Sequence, residues 1–387
     1  MTAALALARS GFRVVVLEQA ERLEETGAGI QLSPNAARTL IGLGLEQQLR
    51  AQTVVPAALR VLSAQSGREI VRMPLGEAAA QRYGAPYWVI HRGDLQATLA
   101  NAVAQTSSIA LKLGTRVEDF VVQTNGVTVS ARSAAGMLRE PGSALIAADG
   151  LWSATRKRLG HEASPRFVQR AAWRALIPAK DVSPEFAEPL VRLWLGPAAH
   201  LVHYPVKGAS LINVVIIMDD TWNAPGWNEP ASRVDLLRRV SKRDWAPQAL
   251  TLISTPESWL KWPLYDLQPI QRWSQGPVAL LGDAAHSTLP YLAQGAAMAI
   301  EDAAVVAQCL ARMPDDPTAA LRTYWAARHA RAYKVQRLAA RNGARYHQGG
   351  VRAMVRNLAM QALGGARLLH HYDWLYDWRP PATLSLT

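Results

Sequence analysis

Hydrophobic and polar positions along the chain predict helices and strands in an α/β order. The apolar run at 2–10 predicts the end of a helix, closed by Gly11, and the run at 13–17 predicts a buried parallel strand. Ser33-Pro34-Asn35 is a typical helix start, because serine caps the first turn and proline fits it. Further helices are predicted at 94–105, 294–311 and 317–343, and further strands at 115–120, 126–131, 143–148 and 278–281.

Between about 167 and 263 the pattern changes to alternating, aromatic-rich segments. Val191–Leu195, His200–Pro205 and Leu211–Met218 read as strands of an antiparallel sheet. We therefore predict an α/β fold in which a Rossmann-like domain is interrupted by an inserted antiparallel β-sheet domain and ends in a long C-terminal helix. The predicted boundaries are 1–166 for the first part of the Rossmann-like domain, 167–265 for the inserted sheet and 266–387 for the second part with the C-terminal helices.

Composition narrows the classes of function. The chain of 387 residues has 42 Lys and Arg against 30 Asp and Glu, a net charge of +12. These positive residues are spread out and accompany no recognised nucleic-acid motif, so we expect no nucleic-acid partner. No run approaches the roughly 20 apolar residues that cross a bilayer, and the first residues lack the positive segment of a secretion signal. The single cysteine, Cys309, suits a reducing compartment. We expect a cytoplasmic monomer or homodimer that does not bind membranes.

The strongest chemical signal is Gly282-Asp283-Ala284-Ala285-His286, followed by Pro290 and the run Gln294–Ala303. A strand that ends in Gly-Asp places a carboxylate at the edge of a sheet where ligands bind, and that carboxylate can accept hydrogen bonds from a polyol. The small residues after Gln294 open a helix whose free N–H groups and positive dipole end can face an anion. A plain strand, loop and capped helix is the alternative interpretation, but the full string favours a ligand site.

The first elements match the later half of a dinucleotide-binding unit. A helix tail, a strand and the acid Glu18 stand in the order in which such a unit binds ribose hydroxyls. The strand and glycine-rich turn expected before Thr2 are not in the sequence, and the glycines at 27–29 and 42–44 follow the acid, so we interpret them as loop glycines. We expect a start codon further upstream, with a damaged gene copy as the alternative. In the sequence as written, the sheet would lack a central strand, and a pyrophosphate would lack the glycine-rich turn that binds it.

Together these residues resemble the class A flavoprotein aromatic hydroxylases, the group that contains salicylate hydroxylase, 3-hydroxybenzoate 6-hydroxylase and 6-hydroxynicotinate 3-monooxygenase. The resemblance runs from residue 2 to about 350 and is carried by 27–35, 91–95, 148–156, 173–174 and 282–302. It implies a GR2-type FAD-binding domain, FAD as cofactor and NADH or NADPH as a transient reductant. It also implies that O2 is used to hydroxylate an aromatic ring through a flavin C4a-hydroperoxide, without a metal.

The resemblance assigns FAD contacts to particular positions of this sequence. They are Glu18 for the adenosine ribose, Arg92 for the phosphates or ribityl region, Asp149 for FAD and the visiting nicotinamide, Asp283 for the ribityl chain, Pro290 beside the ring, and the backbone at Gly295 and Ala296 against the isoalloxazine. A surface ion pair at Arg92 and a turn residue at Asp149 are the alternatives.

A candidate catalytic pair lies in the predicted inserted sheet. His200 and Tyr204 share one strand face because strand side chains alternate, whereas His203 faces the other way. An imidazole beside a phenol can accept and relay a phenolic proton, and some members of the resembling family have this spacing; an ordinary polar pair is the alternative. Gln31 and Gln294 are lesser candidates for the same pocket.

The expected substrate is a small phenolic or hydroxypyridine carboxylic acid, since such an anion suits a basic protein with arginine and histidine near the pocket. Two other functions stay open: a flavin-dependent oxidase or reductase of the same fold, and a non-catalytic remnant that no longer holds FAD.

Overall fold

The structure, a computed structural model, describes residues 1–23, 28–222 and 228–381. Its strands are β1 (Val14–Leu17), β2 (Gly29–Leu32), β3 (Ala58–Ser63), β4 (Glu69–Pro74), β5 (Trp88–His91), β6 (Ile109–Lys112), β7 (Arg116–Gln123), β8 (Gly126–Ser133), β9 (Gly136–Gly142), β10 (Leu145–Ala147), β11 (Arg166–Pro178), β12 (Leu190–Gly196), β13 (Ala199–Val206), β14 (Leu211–Asp219), β15 (Glu229–Ser232), β16 (Ser258–Asp266), β17 (Ser274–Gln275) and β18 (Val278–Leu280).

Its α-helices are α1 (Thr2–Arg9), α2 (Pro34–Gly42), α3 (Glu46–Gln52), α4 (Gly76–Tyr83), α5 (Arg92–Ala104), α6 (Ala154–Arg158), α7 (Pro184–Ala187), α8 (Arg233–Val240), α9 (Pro247–Ser254), α10 (Asp283–His286), α11 (Gly295–Arg312), α12 (Pro317–Tyr346), α13 (Gly350–Leu363), α14 (Gly365–His371) and α15 (Asp373–Tyr376). The helices predicted at 2–10 and 317–343 are confirmed as α1 and α12. Within the described ranges, none of the helices combines the length and the apolar character needed to span a bilayer.

An eight-stranded sheet forms the larger β layer, in the order β15-β16-β11-β14-β13-β12-β3-β4. Neighbouring strands are antiparallel except β12 and β3, which run parallel with Leu190 opposite Ala58. The sheet thus takes β3 and β4 from the segment before residue 166. The predicted domain boundaries therefore remain a proposal, and the sheet itself extends beyond the segment 167–265.

The two faces of this sheet pack against different helices. One face carries Trp194 and Leu201 and is covered by apolar residues of α8 and α9. The other carries Val191 and Tyr204 and packs against residues of α12 and α14. Since strand side chains alternate between faces, the second face and the C-terminal helices enclose the space in which a ligand can lie.

The parallel strands form two separate pairs, β1 with β6 and β10 with β18, and β17 joins the second pair as an antiparallel edge. The parallel strand predicted at 13–17 is present, but the prediction that it is buried is wrong, because Val15 on β1 is 43% exposed. A run of hydrophobic residues predicts a strand but does not show which elements pack against it. The remaining strands form the β2–β5 pair and the meander β7-β8-β9.

A buried ion network joins α11 to α12 and α2. Arg328 Nη1 lies 2.6 Å from Glu301 Oε2, and its Nε donates to Asp302 Oδ1 at 2.7 Å, with all three side chains at most 1% exposed. Arg331 also bonds Glu301, and Asn35 Nδ2 donates to Glu301 Oε1 at 2.6 Å. Because each charge has an opposite partner, the network fixes the position of α11 without leaving an isolated buried charge.

Candidate active site

Asp283 stands at the carboxyl end of β18, where the chain turns into α10. The turn passes through Gly282 at φ 62°, a left-handed conformation that favours glycine, and an added Cβ there would lie 3.0 Å from Ala299 Cβ. Gly282 N–H donates to Asp302 Oδ2 at 3.1 Å, and His286 bonds the same carboxylate. The turn that presents Asp283 is therefore anchored to α11.

The Asp283 side chain is reached by solvent and yet is surrounded by protein. It is exposed, but burial raises the pKa of its carboxyl group, with the positive charges of His286 and Arg92 acting in the opposite direction. Both observations describe a carboxylate on the floor of an open cleft. Among the described residues, none forms an ion pair or hydrogen bond with its side chain, so the carboxylate is available to a ligand.

Asp149 lies on a neighbouring loop that is tied to the Asp283 turn. Its Oδ2 accepts a hydrogen bond from Thr155 N–H at 3.0 Å, at the start of α6. The fully buried Arg156 donates from Nη1 to the Ala284 carbonyl at 3.0 Å and from Nη2 to the Leu151 carbonyl at 2.6 Å. Arg156 thus holds the two loops in register, while Asp149 itself is exposed.

Two arginines make the cleft electropositive. Arg92 is exposed at the start of α5, where its N–H donates to the Ala28 carbonyl at 2.8 Å. Burial lowers the pKa of Arg174 on β11, and the charge of Arg92 lowers it further, so the two guanidinium groups lie in one neighbourhood. Arg174 Nε is buried and has no hydrogen-bond partner within the described part of the chain. The resemblance assigned an FAD contact to Arg92, whereas Arg174 appeared only in the matching segment 173–174.

The start of α11 leaves its backbone open to a ligand. Gln294 is the N-cap residue without a capping hydrogen bond from its side chain, and a Cβ added at Gly295 would meet no atom within 4 Å. Ala293 just before it has φ 52°, a left-handed conformation rare for alanine. The first N–H groups of α11, including that of Ala296, are therefore free to face an anionic or planar group.

Glu18 lies at the end of the β1–β6 pair and not at the sheet of β10, β18 and β17 that carries Asp283. It follows β1, and its Oε1 accepts a hydrogen bond from Ala20 N–H at 2.9 Å. No described contact joins it to Asp283 or Arg92, so its ribose-binding role remains a prediction. Gly27, at the start of the 27–35 segment, lies outside the described residues.

These features fit a bound flavin nucleotide. A free carboxylate at Asp283 matches a polyol chain, the cations Arg92 and Arg174 match anionic groups, and the open backbone at Gly295 admits a flat ring. Pro290 lines the adjoining cavity, as expected for a residue beside such a ring. In the described ranges no cluster of three or more His, Cys, Asp or Glu is placed to hold a metal ion.

A cavity of about 680 Å³ lies between the large sheet and α12–α14. His200 and Tyr291 line it, and apolar side chains of β3, β4 and β12 form much of its wall. Because an engineered cavity of about 150 Å³ already holds benzene, this one has ample room for a substituted aromatic ring. Arg345 and Arg352 also line the cavity, so a bound carboxylate would have cations beside it.

His200 is 2% exposed, and its Nδ1 lies 2.8 Å from Nε2 of His347, which follows the end of α12. Burial, with the charges of His347 and Arg170, lowers the pKa of His200 well below 6.5, so the ring is neutral near neutral pH. With Nδ1 occupied, Nε2 is the nitrogen that can meet a ligand in the cavity.

Tyr204 faces the same side of the sheet as His200 but does not stand beside it. Four residues along a strand separate them by about 13 Å, and Val202 lies between them on that face. Burial raises the pKa of Tyr204, and Arg174 and Gln31 interact with the phenol in the opposite direction. No described contact joins the two side chains, and His200 pairs with His347 through Nδ1, so the direct His–Tyr relay stays a prediction.

The two glutamine candidates differ in whether they line the cavity. Gln31 lines the cavity and accepts a hydrogen bond from the Tyr87 hydroxyl at 2.6 Å. Gln294 Nε2 donates to Ser33 Oγ at 2.9 Å, so its amide is used inside the protein instead. The same bonds explain why Ser33 starts α2 without capping it.

Replacing Gly29 with alanine should displace Tyr204. The new Cβ would lie 2.6 Å from Tyr204 Cε2 and 2.7 Å from Asn213 Cγ. We expect the free energy of unfolding to fall by about 1–3 kcal/mol, as for other overpacked cores, measured by urea denaturation. Gly42→Ala is the matched control, since its Cβ meets no atom within 4 Å; an equal loss in both variants would contradict the interpretation.

Acid should destabilise the protein through its buried histidines. Burial lowers the pKa of His200, His203 and His347, the last to about 3. Below pH 6.5 the unfolded chain binds protons that the folded chain resists, so stability falls as the pH drops from 6.5 towards 3. His203 has no hydrogen-bond partner among the described residues, so His203→Leu should flatten this dependence in denaturation curves. A steeper dependence in the variant would refute this account.

Comparison with known proteins agrees with the site. The family model described as FAD binding domain matches residues 1–339. The chain is 35% identical over 378 residues to 3-hydroxybenzoate 6-hydroxylase of Polaromonas naphthalenivorans, covering 98% of this chain and 93% of that one. It is 34% identical to 6-hydroxynicotinate 3-monooxygenase of Bordetella bronchiseptica, covering 86% and 85%. The structure of Klebsiella pneumoniae HpxO with FAD and uric acid aligns with a TM-score of 0.82 at 25% identity, covering 96% and 92%.

The chain belongs to the FAD-binding-domain family, and within it to the flavoprotein aromatic hydroxylases. Its cofactor is FAD and its class of reaction is that of a monooxygenase. The predicted fold class, with a Rossmann-like FAD-binding part, a large sheet and C-terminal helices, is confirmed.

Proposed function

We propose that the protein hydroxylates a small phenolic or hydroxypyridine carboxylic acid with O2 and NADH or NADPH. One oxygen atom enters the ring and the other leaves as water, while the nicotinamide is oxidised. Bound FAD supplies the electron transfer and the activation of O2. The single observation that supports this most is the neutral, buried His200 facing a large apolar cavity that Pro290 also lines.

Different residues of the cleft bind different parts of the cofactor. Asp283 binds the ribityl chain, Arg92 the phosphates or ribityl region, and the backbone of Gly295 and Ala296 the ring. Asp149 supports FAD and the visiting nicotinamide, as the resemblance implies. Support comes from the free carboxylate of Asp283 and the open space above Gly295.

His200 activates the substrate. Its Nε2 accepts or polarises the ring hydroxyl proton, which makes the ring richer in electrons. Tyr204, which is buried on the face of the sheet that carries His200 and interacts with Gln31, serves as a hydrogen-bonding group for the ring substituents. The substrates named for two relatives, a hydroxybenzoate and a hydroxynicotinate, both combine a ring hydroxyl with a carboxylate.

The reaction is tested with the full-length protein, FAD, and 18O2. We offer 3-hydroxybenzoate and 6-hydroxynicotinate with each nicotinamide cofactor, and measure oxygen uptake and product mass. The proposal expects one 18O atom in the product for each NAD(P)H oxidised. Hydrogen peroxide equal to the oxygen consumed, without an oxygenated product, would identify an oxidase instead. We expect the reaction in the cytoplasm, where these reductants are found, catalysed by a monomer or homodimer.

A further inference from the structure

His347 is joined to the candidate base His200 by both side chain and main chain. The imidazoles meet through Nδ1 of His200 and Nε2 of His347 at 2.8 Å. The His347 carbonyl also accepts a hydrogen bond from Ala198 N–H at 3.0 Å, in the turn that leads into β13. The end of the 30-residue helix α12 is thus fastened to the strand that carries His200.

The surroundings of the pair keep both rings neutral. Burial is the largest cause of the lowered pKa of both histidines, and the charges of Arg170 on β11 (on both rings) and of Arg243 near α8 (on His347) lower it further. Tyr291 and Tyr346 pack on His200 with ring centroids 5.5 and 5.4 Å away and carry no negative charge near neutral pH. No carboxylate within the described ranges bonds either ring.

We propose that His347 works as a positioning residue that completes a two-imidazole proton acceptor with His200. This inference rests on the proposed function. The ring O–H bond of the substrate breaks as Nε2 of His200 gains the proton, and the Nδ1 proton of His200 moves to Nε2 of His347. The proton on Nδ1 of His347 then leaves to water. His200 changes tautomer, and neither ring keeps a positive charge, which burial and the neighbouring arginines would disfavour.

The outer end of the pair sets how this proton leaves. Nδ1 of His347 is buried and has no hydrogen-bond partner among the described residues, whereas the residue as a whole is only half-buried, so the proton reaches solvent through a water molecule that enters beside Nδ1. A buried aspartate in place of His347 would hold an imidazolium, as in a Ser-His-Asp triad. A second neutral imidazole instead accepts one proton and releases another, so that no charge stays on the pair.

The test compares His347→Gln with His347→Ala in the FAD-loaded full-length protein. Glutamine can accept the hydrogen bond from His200 but cannot take its proton. We measure the ionised fraction of bound 3-hydroxybenzoate against pH, from its phenolate absorption, and the hydroxylation rate. Both variants should shift the ionisation midpoint towards that of the free ligand and lose at least tenfold in rate. Added imidazole should restore His347→Ala in part.

His370→Gln, an exposed histidine outside the cavity, is the control and should match wild type. Thermal melting and flavin content show whether the variants are folded. Wild-type ionisation and rate in His347→Gln would overturn the inference and leave His347 as an orienting contact only. Absence of hydroxylation by wild type defeats the proposed function instead, and the ligand ionisation curve still reports on the pair.

Discussion

Replacing Arg328 with methionine should lower the free energy of unfolding by about 3–5 kcal/mol, the usual cost of leaving one partner of a buried ion pair uncompensated. Arg328 is 1% exposed and contacts Glu301 and Asp302, which are both fully buried. Although burial alone would raise the pKa of Asp302, the charges of His286 and Arg328 lower it to about 2, so its carboxylate stays ionised in the folded protein. Urea denaturation at pH 7 measures the loss.

Arg337→Met on the same helix is the matched control. Its side chain is exposed, and surface changes of this kind usually alter stability by about 0.5 kcal/mol or less. If Arg328→Met proved as stable as this control, the network would not be what fixes α11 against α12. Because the network also anchors the Gly282 turn through Asp302, Arg328→Met should lower flavin content as well.

Replacing Asp283 with alanine should weaken FAD binding about 10- to 100-fold. The carboxylate has no partner of its own in the described structure, and hydrogen bonds to a charged group contribute about 1.5–3 kcal/mol, with about 1.4 kcal/mol for each factor of ten. Quenching of flavin fluorescence during titration of the apoprotein measures the dissociation constant. Asp315→Ala, on the exposed loop between α11 and α12, should bind FAD as wild type does. Equal affinity in both variants would remove Asp283 from the site.

The Asp283 turn and the start of α11 were predictable because the whole motif is local. A strand, a Gly-Asp turn and a helix start lie within about twenty residues, so the chain has few ways to arrange them. Arg156 belonged to a second local pattern, the segment 148–156 with Asp149 and Ser153, and the structure adds its role as the link between the two loops.

The partner of His200 was not predictable in this way. His347 is 147 residues away along the chain, and a histidine near the end of a helix gives no sign of which strand it will meet. Arg174 carried a sequence match but no sign of its buried, unpartnered Nε. For the same reason the pairing of β3 with β12 escaped the pattern, because strand periodicity identifies strands and leaves their neighbours open. The hydrophobic pattern also wrongly predicted that Val15 is buried, because the exposure of this residue depends on which elements pack against β1.

The most direct test of this account is the crystal structure of the full-length protein with FAD. We expect the Asp283 carboxylate within hydrogen-bond distance of the ribityl hydroxyls, and the flavin ring over the backbone of Gly295 and Ala296 with its edge towards the His200 cavity. A flavin bound elsewhere, with Asp283 turned into bulk solvent, would contradict it.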